Sequence, residues 1–236
     1  MKIDPSSPIV VLTGAGISAE SGLATFRDQG GLWEGHSIED VATPEGFHNN
    51  PDLVLDFYNM RRREAARATP NAAHNALAAL ENAWDGDFLL ITQNVDNLHE
   101  KAGSKKLLHM HGRLDSALCY ECGSHQHWEG DLDRDCFCSS CSRPSLRPDI
   151  VWFGEMPYDM DVIEDALGKA ALFVAIGTSG TVYPAAGFVA AATSAGARAV
   201  EINLEATGNS LFGECLTGTA STTVPAFVSA LIGRKP

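Results

Sequence analysis

The chain has 236 residues, a formal net charge of −13 and 44% apolar side chains. That length suits one sizeable α/β unit with an insertion, and that apolar content excludes wholesale disorder. The acidic balance argues against binding nucleic acid through its phosphates; it fits cationic partners such as lysine-rich protein segments, or a solvated acidic surface. Residues 1–8 carry no apolar signal region, and no run approaches the roughly 18 apolar residues of a membrane span. The expectation is a cytoplasmic protein, in which the six cysteines need an explanation other than a disulfide framework.

The β-branched run 9–12 reads as a buried strand that breaks into Thr13-Gly14-Ala15-Gly16-Ile17-Ser18-Ala19-Glu20-Ser21-Gly22. In a strand, Gly-rich turn, helix unit, the missing Cβ atoms let the backbone approach a diphosphate, and the N–H groups at the helix start receive its charge. An ordinary tight turn is the competing reading. A hydride-transfer enzyme needs a second strand ending in an acid about 20 residues on. Phe26-Arg27-Asp28-Gln29-Gly30-Gly31-Leu32-Trp33-Glu34 reads as a loop instead. Arg27 suits a phosphate or a lid, or is a plain surface arginine.

Asn50-Pro51 supplies an N-cap and a first-turn proline for a helix to about Arg67. Tyr58 and Arg61 share one face of it. They suit a carboxylate; the alternative is a solvated basic stripe at 61–63 beside a half-buried tyrosine. Thr69-Pro70 opens a second helix, with Ala73, Leu77, Leu80 and Trp84 at core spacing and His74 read as structural. Residues 87–92 form a buried strand running into Gln93-Asn94-Val95-Asp96-Asn97-Leu98-His99. Amides and a carboxylate at a strand end suit ribose hydroxyls and a carboxamide, although an N-cap cluster explains one or two of them. Residues 107–110 are a short strand, and Gly112 permits a sharp turn. His111 is a candidate general base because histidine titrates near neutral pH; His109 is its competitor.

Cys119-x-x-Cys122 and Cys138-x-x-Cys141 are separated by 15 residues, the spacing of a tetrahedral four-thiolate zinc site. Such a closed site is structural and supplies on the order of 10 kcal/mol toward ordering a polar module. Cys136 is a rival ligand nearby, and Cys215 reads as a buried spare. Residues 146–155 are expected to return to the main sheet. Of these, 151–154 either offer a backbone edge to an extended peptide or form an interior strand. A helix at 160–170, a strand at 172–176 ending in Gly177-Thr178-Ser179, a helix at 185–195, a strand at 199–202 leading to Asn203-Leu204-Glu205, and a helix at 225–231 follow. Short strands alternating with helices imply parallel β-α-β units.

Taken jointly, these segments resemble the sirtuins, the NAD-dependent protein lysine deacylases. The matching residues are Gly14-Ala15-Gly16-Ile17-Ser18, Thr25-Phe26-Arg27, the run from Thr92 to His99, His109-Met110-His111-Gly112, the two cysteine pairs, Val151-Trp152-Phe153-Gly154-Glu155, Gly177-Thr178-Ser179 and Asn203-Leu204-Glu205. They occur in family order over about residues 8–232. Tyr58-x-x-Arg61 is similar to the marker of the class III branch, whose members remove acidic acyl groups such as succinyl. In its bacterial members deacetylation typically accompanies desuccinylation.

The resemblance implies an α/β fold with a Rossmann-like parallel sheet domain (1–33, 76–112 and 148–236), a helical insertion (34–75) and a zinc-binding module (113–147). It implies removal of succinyl, malonyl and acetyl groups from lysine, with release of nicotinamide and 2′-O-acyl-ADP-ribose. Gly14, Ala15, Gly16, Ile17, Ser18, Glu20, Thr25, Phe26, Arg27 and Trp33 would hold the NAD diphosphate and nicotinamide ribose. Gln93, Asn94, Val95 and Asp96 would line the nicotinamide and ribose pocket. Gly177, Thr178, Ser179, Asn203, Leu204, Glu205 and Ala220 would hold the adenosine half. His111 would be the catalytic base, Tyr58 and Arg61 the acyl-carboxylate contacts, and Val151, Trp152, Phe153 and Gly154 the peptide contacts. The implied cofactors are NAD as co-substrate and one structural zinc. The implied partners are acylated lysine side chains of proteins, without nucleic acid or membrane, for a monomer or weak oligomer. The departures are Cys136 and the Ser142-Arg143-Pro144 that follows Cys141 in place of a pair of glycines; both bear on the metal ligands. A protein ADP-ribosyltransferase using the same NAD site and a non-catalytic NAD-sensing module stand as alternatives.

Overall fold

Strand β1 (Ile9–Thr13) is buried at every position, as a strand covered on both faces must be. The structure, a computed structural model, describes residues 3–25, 35–233 and the backbone of 32–33. After β1 come β2 (Leu32–Trp33) and β3 (His36–Ser37), then helices α1 (Ile38–Val41), α2 (Pro44–Asn49), α3 (Pro51–Arg67) and α4 (Ala72–Ala83). Next are β4 (Phe88–Thr92), α5 (Leu98–Ala102), β5 (Leu107–His109), β6 (Gly112–Cys119), β7 (His125–His127) and β8 (Leu146–Ile150). The chain closes with α6 (Met160–Lys169), β9 (Leu172–Ile176), α7 (Phe188–Ser194), β10 (Arg198–Asn203), β11 (Glu214–Thr217) and α8 (Ala220–Leu231).

Six strands form one sheet in the order β11-β10-β9-β1-β4-β5, every pair parallel. Alternation along the strands sorts their side chains onto two faces. Ile9, Val11, Leu90 and Val174 pack on α4 and α8 through Leu77, Leu80, Val224 and Phe227. Val10, Leu12, Ile91 and Phe173 pack on α6 and α7 through Ile163, Leu167, Phe188 and Val189. Each such fully buried side chain contributes about 1.5–3 kcal/mol. From β1 the chain runs outward to β4 and β5, then returns on the other side of β1 as β9, β10 and β11. That reversal opens a crevice beyond the strands' carboxyl ends, where open α/β sheets bind ligands.

The smaller body is an antiparallel sheet, β7-β6-β8, with α3 packed on it. Val54, Phe57, Tyr58 and Ala65 share a core with Leu114, Ile150 and Trp152. Leu55 joins Ala117, Leu132 and Leu146 in a second, smaller one.

Several expectations need correction. Residues 146–150 pair with β6 in the small sheet, not with the main one, because Gly112, at φ +84°, turns the chain against Ile150. β8 therefore crosses the boundary expected between 147 and 148. Helix α4 starts at Ala72, since Asn71 caps it by accepting from the Ala73 N–H at 2.9 Å. Helix α8 begins at Ala220 and carries Pro225 in its second turn, where the missing N–H costs the helix one bond, the one to the Ser221 carbonyl. β6 mixes buried and half-buried positions and β11 alternates between half-buried and exposed ones, so neither announces itself as an apolar run. Cys215, expected to be buried, is exposed, because β11 is the sheet's edge and alternate positions face solvent. No helix among the described residues is long and apolar enough to cross a membrane.

Gly112 and Gly103 both have positive φ, yet a Cβ on Gly112 would lie 2.1 Å from the Asp149 carbonyl oxygen while one on Gly103 meets nothing. Gly103→Ala is expected to cost about 1–2 kcal/mol and Gly112→Ala clearly more, read as urea midpoints. Equal midpoints would refute the close-packing account.

Candidate active site

Two strand exits press together at the crevice. The Gly14 N–H donates to the Ile176 carbonyl at 3.0 Å and the Gly16 N–H to that of Gly177 at 2.8 Å. A Cβ on Gly14 would lie 2.8 Å from the Gly177 oxygen, and one on Gly16 2.7 Å from the Gly177 Cα. The glycine pattern thus answers to the protein's own backbone. The turn continues as two 3-10 turns, Ala15–Ile17 and Ala19–Ser21, rather than the α-helix the sequence suggests. The left-handed Gly22 ends it.

Below the turn lies a network of polar side chains from other strand ends. The Thr13 hydroxyl donates to Thr92 at 2.9 Å and meets His99 Nε2 at 3.0 Å. The Ser18 hydroxyl donates to Asp96 at 3.0 Å, and Asn94 Nδ2 donates to the Gly14 carbonyl and to Ser18, each at 3.2 Å. Gln93 Nε2 donates to the Thr178 hydroxyl at 2.9 Å, and Asn203 Nδ2 to the Thr178 carbonyl at 2.8 Å. Burial raises the Asp96 pKa, against the pull of the Leu98 N–H and the Ser18 hydroxyl. The Glu20 carboxylate accepts from the Ser221 N–H and hydroxyl, and these bonds hold its pKa low.

His111 stands at the same cavity. Its Nδ1–H donates to the Gln93 carbonyl at 3.2 Å, which puts the Nε2 lone pair on the other edge of the ring. Burial lowers its pKa from 6.5, partly offset by that bond. Its competitor, His109, is occupied at both nitrogens, by the Asn94 carbonyl at 3.0 Å and by Glu100 at 2.9 Å.

Helix α3 supplies another wall. Tyr58, Arg61 and Ala65, one face of the helix, all line the cavity. The basic stripe at 61–63 is not solvated as a unit: Arg61 and Arg62 are buried, and Arg63 alone of the three is exposed, paired with Asp131. Tyr58 is fully buried and accepts a hydrogen bond from Trp152 Nε1 at 3.1 Å. The N–H groups of Val151, Trp152 and Phe153 donate to His111, Glu155 and Ala42. The N–H groups of residues 151–153 are therefore already occupied within the protein, although all of 151–154 line the cavity.

The cavity, about 490 Å³, gathers most of the expected residues: Gly14, Ala15, Gly16, Ser18, Glu20, Thr25, Gln93, Asn94, Val95, Asp96, His111, Gly177, Thr178, Ser179, Asn203, Leu204 and Ala220. Ile17 is not among them; its side chain is buried in the core beneath. Glu205 is exposed and outside the lining. Phe26, Arg27 and the Trp33 side chain lie outside the described residues. The sequence reading missed Ala42, Ala65, Leu114, Ile150, Tyr183 and Thr219, which also line the cavity. Only Ala65 had a signal, its helical spacing from Tyr58 and Arg61. Bare backbone at a strand-order reversal, ringed by amides and a carboxylate, suits the diphosphate, ribose hydroxyls and carboxamide of a dinucleotide.

A second site lies away from the cavity. The Sγ atoms of Cys119, Cys122, Cys138 and Cys141 all lie within 4.8 Å of one another. Cys119 and Cys141 are 3.7 Å apart, as are Cys122 and Cys138. Those spacings are too long for disulfides and match the edge, about 3.8 Å, of a zinc–thiolate tetrahedron with bonds of about 2.3 Å. Cys136 is outside the group; its thiol donates to Asp133 at 3.2 Å.

The Sir2 family model matches residues 14–184. A Bdellovibrio bacteriovorus protein named NAD-dependent protein deacylase is 59% identical over 95% of this chain and 96% of its own. A Caulobacter vibrioides protein of the same name is 53% identical over 96% and 97%. Among solved structures, a Sir2 homolog–NAD complex is 36% identical with a TM-score of 0.86, covering 94% of this chain and 88% of that one. Sir2 bound to acetylated peptide is 29% identical with a TM-score of 0.78, covering 95% and 92%. With its sequence matched over most of its length and its sheet and cleft matched in space, the chain belongs to the Sir2 family.

Proposed function

We propose that the protein is an NAD-dependent protein lysine deacylase. One observation carries the reading: the His111 imidazole, with Nδ1 tied to the Gln93 carbonyl, lines the same cavity as the Gly14-Ala15-Gly16 turn and Asp96. NAD, as co-substrate, supplies an electrophilic ribose carbon and a leaving nicotinamide; an acyl-lysine amide oxygen is the nucleophile. The Gly-rich turn with Thr178, Ser179 and Asn203 binds the dinucleotide, and Gln93, Asn94 and Asp96 orient its ribose and carboxamide. An amide oxygen is a poor nucleophile, so alignment carries much of the rate, about 7–11 kcal/mol in well-positioned reactions. His111 Nε2 takes a proton from a ribose hydroxyl, which lets that oxygen attack the acyl carbon. A positioned base is worth about 10²–10⁴-fold. The acyl carbon–nitrogen bond then breaks, lysine leaves as the amine, and one water adds at the acyl carbon, so the products are free lysine, nicotinamide and 2′-O-acyl-ADP-ribose. Product mass spectrometry separates this outcome from ADP-ribose left on protein.

At the α3 wall, Tyr58 and Arg61 are read as contacts to an acyl carboxylate, so that succinyl- and malonyl-lysine are taken beside acetyl-lysine. The four cysteines hold one structural zinc with no part in the chemistry. The division into a nucleotide-binding body (1–33, 76–112, 148–236), a helical insertion (34–75) and a metal-binding module (113–147) belongs to the same proposal, with the whole of β8 moved to the metal-binding module because it pairs there with β6. The shared core of α3 with β6 and β8 supports treating the last two as one lobe.

Burial holds the His111 pKa below 6.5, so the base stays unprotonated into mildly acidic solution. The kcat/KM profile is expected to fall on the acid side with a midpoint below pH 6.5. His111→Ala is expected to lose about 10²–10⁴-fold together with that limb, while circular dichroism stays native. A folded variant with near-normal deacylation would remove the role. Charge-assisted hydrogen bonds contribute about 1.5–3 kcal/mol each, so Arg61→Met should lower the succinyl-to-acetyl ratio of kcat/KM by about tenfold or more; slowing both equally would end the carboxylate reading. Cys138→Ala should lose one bound zinc per chain by elemental analysis and lower the Tm; a variant that keeps both would show the metal site to be misassigned.

A further inference from the structure

We infer that Trp152 is a positioning residue for acyl selectivity: its indole N–H fixes the direction in which the Tyr58 hydroxyl donates. The inference rests on the carboxylate reading of Tyr58 and Arg61 and deepens it. An indole nitrogen is a donor and never an acceptor, so the 3.1 Å contact is Trp152 N–H to the Tyr58 oxygen. A phenol hydrogen stays near the ring plane and has two in-plane choices, one on each side of the oxygen. A donor hydrogen already pointing at one side makes that side repulsive to a second. The Tyr58 hydrogen is thereby turned to the opposite side, and the hydroxyl meets a ligand as a donor. A carboxylate has acceptors only and requires a donor there; an acetyl group presents a methyl and gains nothing from it.

The indole is held firmly enough to set this direction. The Trp152 backbone N–H donates to Glu155 Oε2 at 2.9 Å, and Glu155 Oε1 accepts from Arg147 at 2.7 Å. The Arg147 guanidinium lies over the Trp152 ring, 4.1 Å from its centroid, and the Phe47 ring packs beside it at 5.2 Å. Trp152 and Arg147 are both buried. The ion pair, the cation–π contact and the aromatic packing leave the indole one orientation, and Tyr58 inherits it.

The test is the succinyl-to-acetyl ratio of kcat/KM on lysine peptides of one sequence with saturating NAD. Trp152→Phe keeps a ring and removes the donor; its expected effect is a fall of about tenfold in that ratio, the scale of one misaligned hydrogen bond to a charged group, seen chiefly in the succinyl KM. Tyr58→Phe should lower the ratio similarly, and Trp152→Phe added to it should change the ratio no further. Should Trp152→Phe not fold, benzothienylalanine at position 152 replaces the N–H by sulfur at nearly constant shape and is read in the same way. If Tyr58→Phe and Arg61→Met lower the ratio while both Trp152 replacements leave it at the native value, the positioning role is overturned and the carboxylate reading stands. If none of the changes moves the ratio, both fall. Independent, multiplying losses from Trp152 and Tyr58 would likewise overturn the inference.

Discussion

Three glycine backbones in mutual contact set the architecture of the cleft. β1 and β9 are neighbours in a parallel sheet, and their exits are Gly14-Ala15-Gly16 and Gly177. Side chains at Gly14, Gly16 or Gly177 would collide with backbone atoms at 2.5–2.8 Å, and Gly177 sits at φ +60° besides. Parallel neighbours normally diverge where their crossover connections depart; here they remain in contact for one more turn. That contact brings Ser18 back over the end of β4, within reach of Asn94 and Asp96. The polar groups of four strands therefore face one volume instead of four separate loops.

Beneath that volume the structure keeps its histidines neutral by burial. The Thr13 hydroxyl gives its hydrogen to Thr92, so toward His99 it accepts, which places the His99 proton on Nε2. Desolvation drives the His99 pKa well below 6.5 and that of His74 to about 4, and the two rings lie 4.9 Å apart. Neither lines the cavity. His111 differs in having one nitrogen fixed by a carbonyl and its ring at the cavity wall. Among the described residues burial is what chiefly sets its pKa, and a base that stays neutral is the form the chemistry needs.

The parallel sheet was legible because strands covered on both faces must be apolar runs, and 9–12, 87–92 and 172–176 are such runs. The metal site was legible because cysteine spacing encodes its geometry directly. Tertiary context overrode local signals elsewhere. β6 carries Arg113, Asp115 and Ser116 and is a strand only because β7 and β8 flank it. Pro225 looked like a helix start, whereas the helix starts at Ala220, with Glu20 from the far end of the sequence accepting from the Ser221 N–H. That pairing spans 201 positions, and no local pattern reports it. Ile17 sits in a matching motif yet faces the core, because a motif names a segment and not the direction of each side chain. The burial of Arg62 was hidden for the same reason: three adjacent arginines read as surface until the residues opposite them are known.

Those arginines show how the metal site bears on a cavity it does not touch. On α3, Tyr58, Arg61 and Ala65 face the cavity, while Asn59, Arg62 and Arg63 face the metal-binding lobe. Asn59 holds Leu132 from both sides, accepting from its N–H at 2.8 Å and donating to its carbonyl at 2.9 Å. Arg62 donates to the Leu114 carbonyl at 2.6 Å and to Asn59 at 2.7 Å. Leu132 and Leu55 share a core with Cys119 and Cys138, so the partner that α3 grips is itself ordered by the thiolates. A helix is rigid over two turns, so fixing 59 and 62 also fixes the axial rotation that presents 58 and 61. The free energy of binding a zinc ion at the four cysteines, on the order of 10 kcal/mol, is in this way coupled to where a phenol and a guanidinium stand in the cleft, although none of the four cysteines lines it.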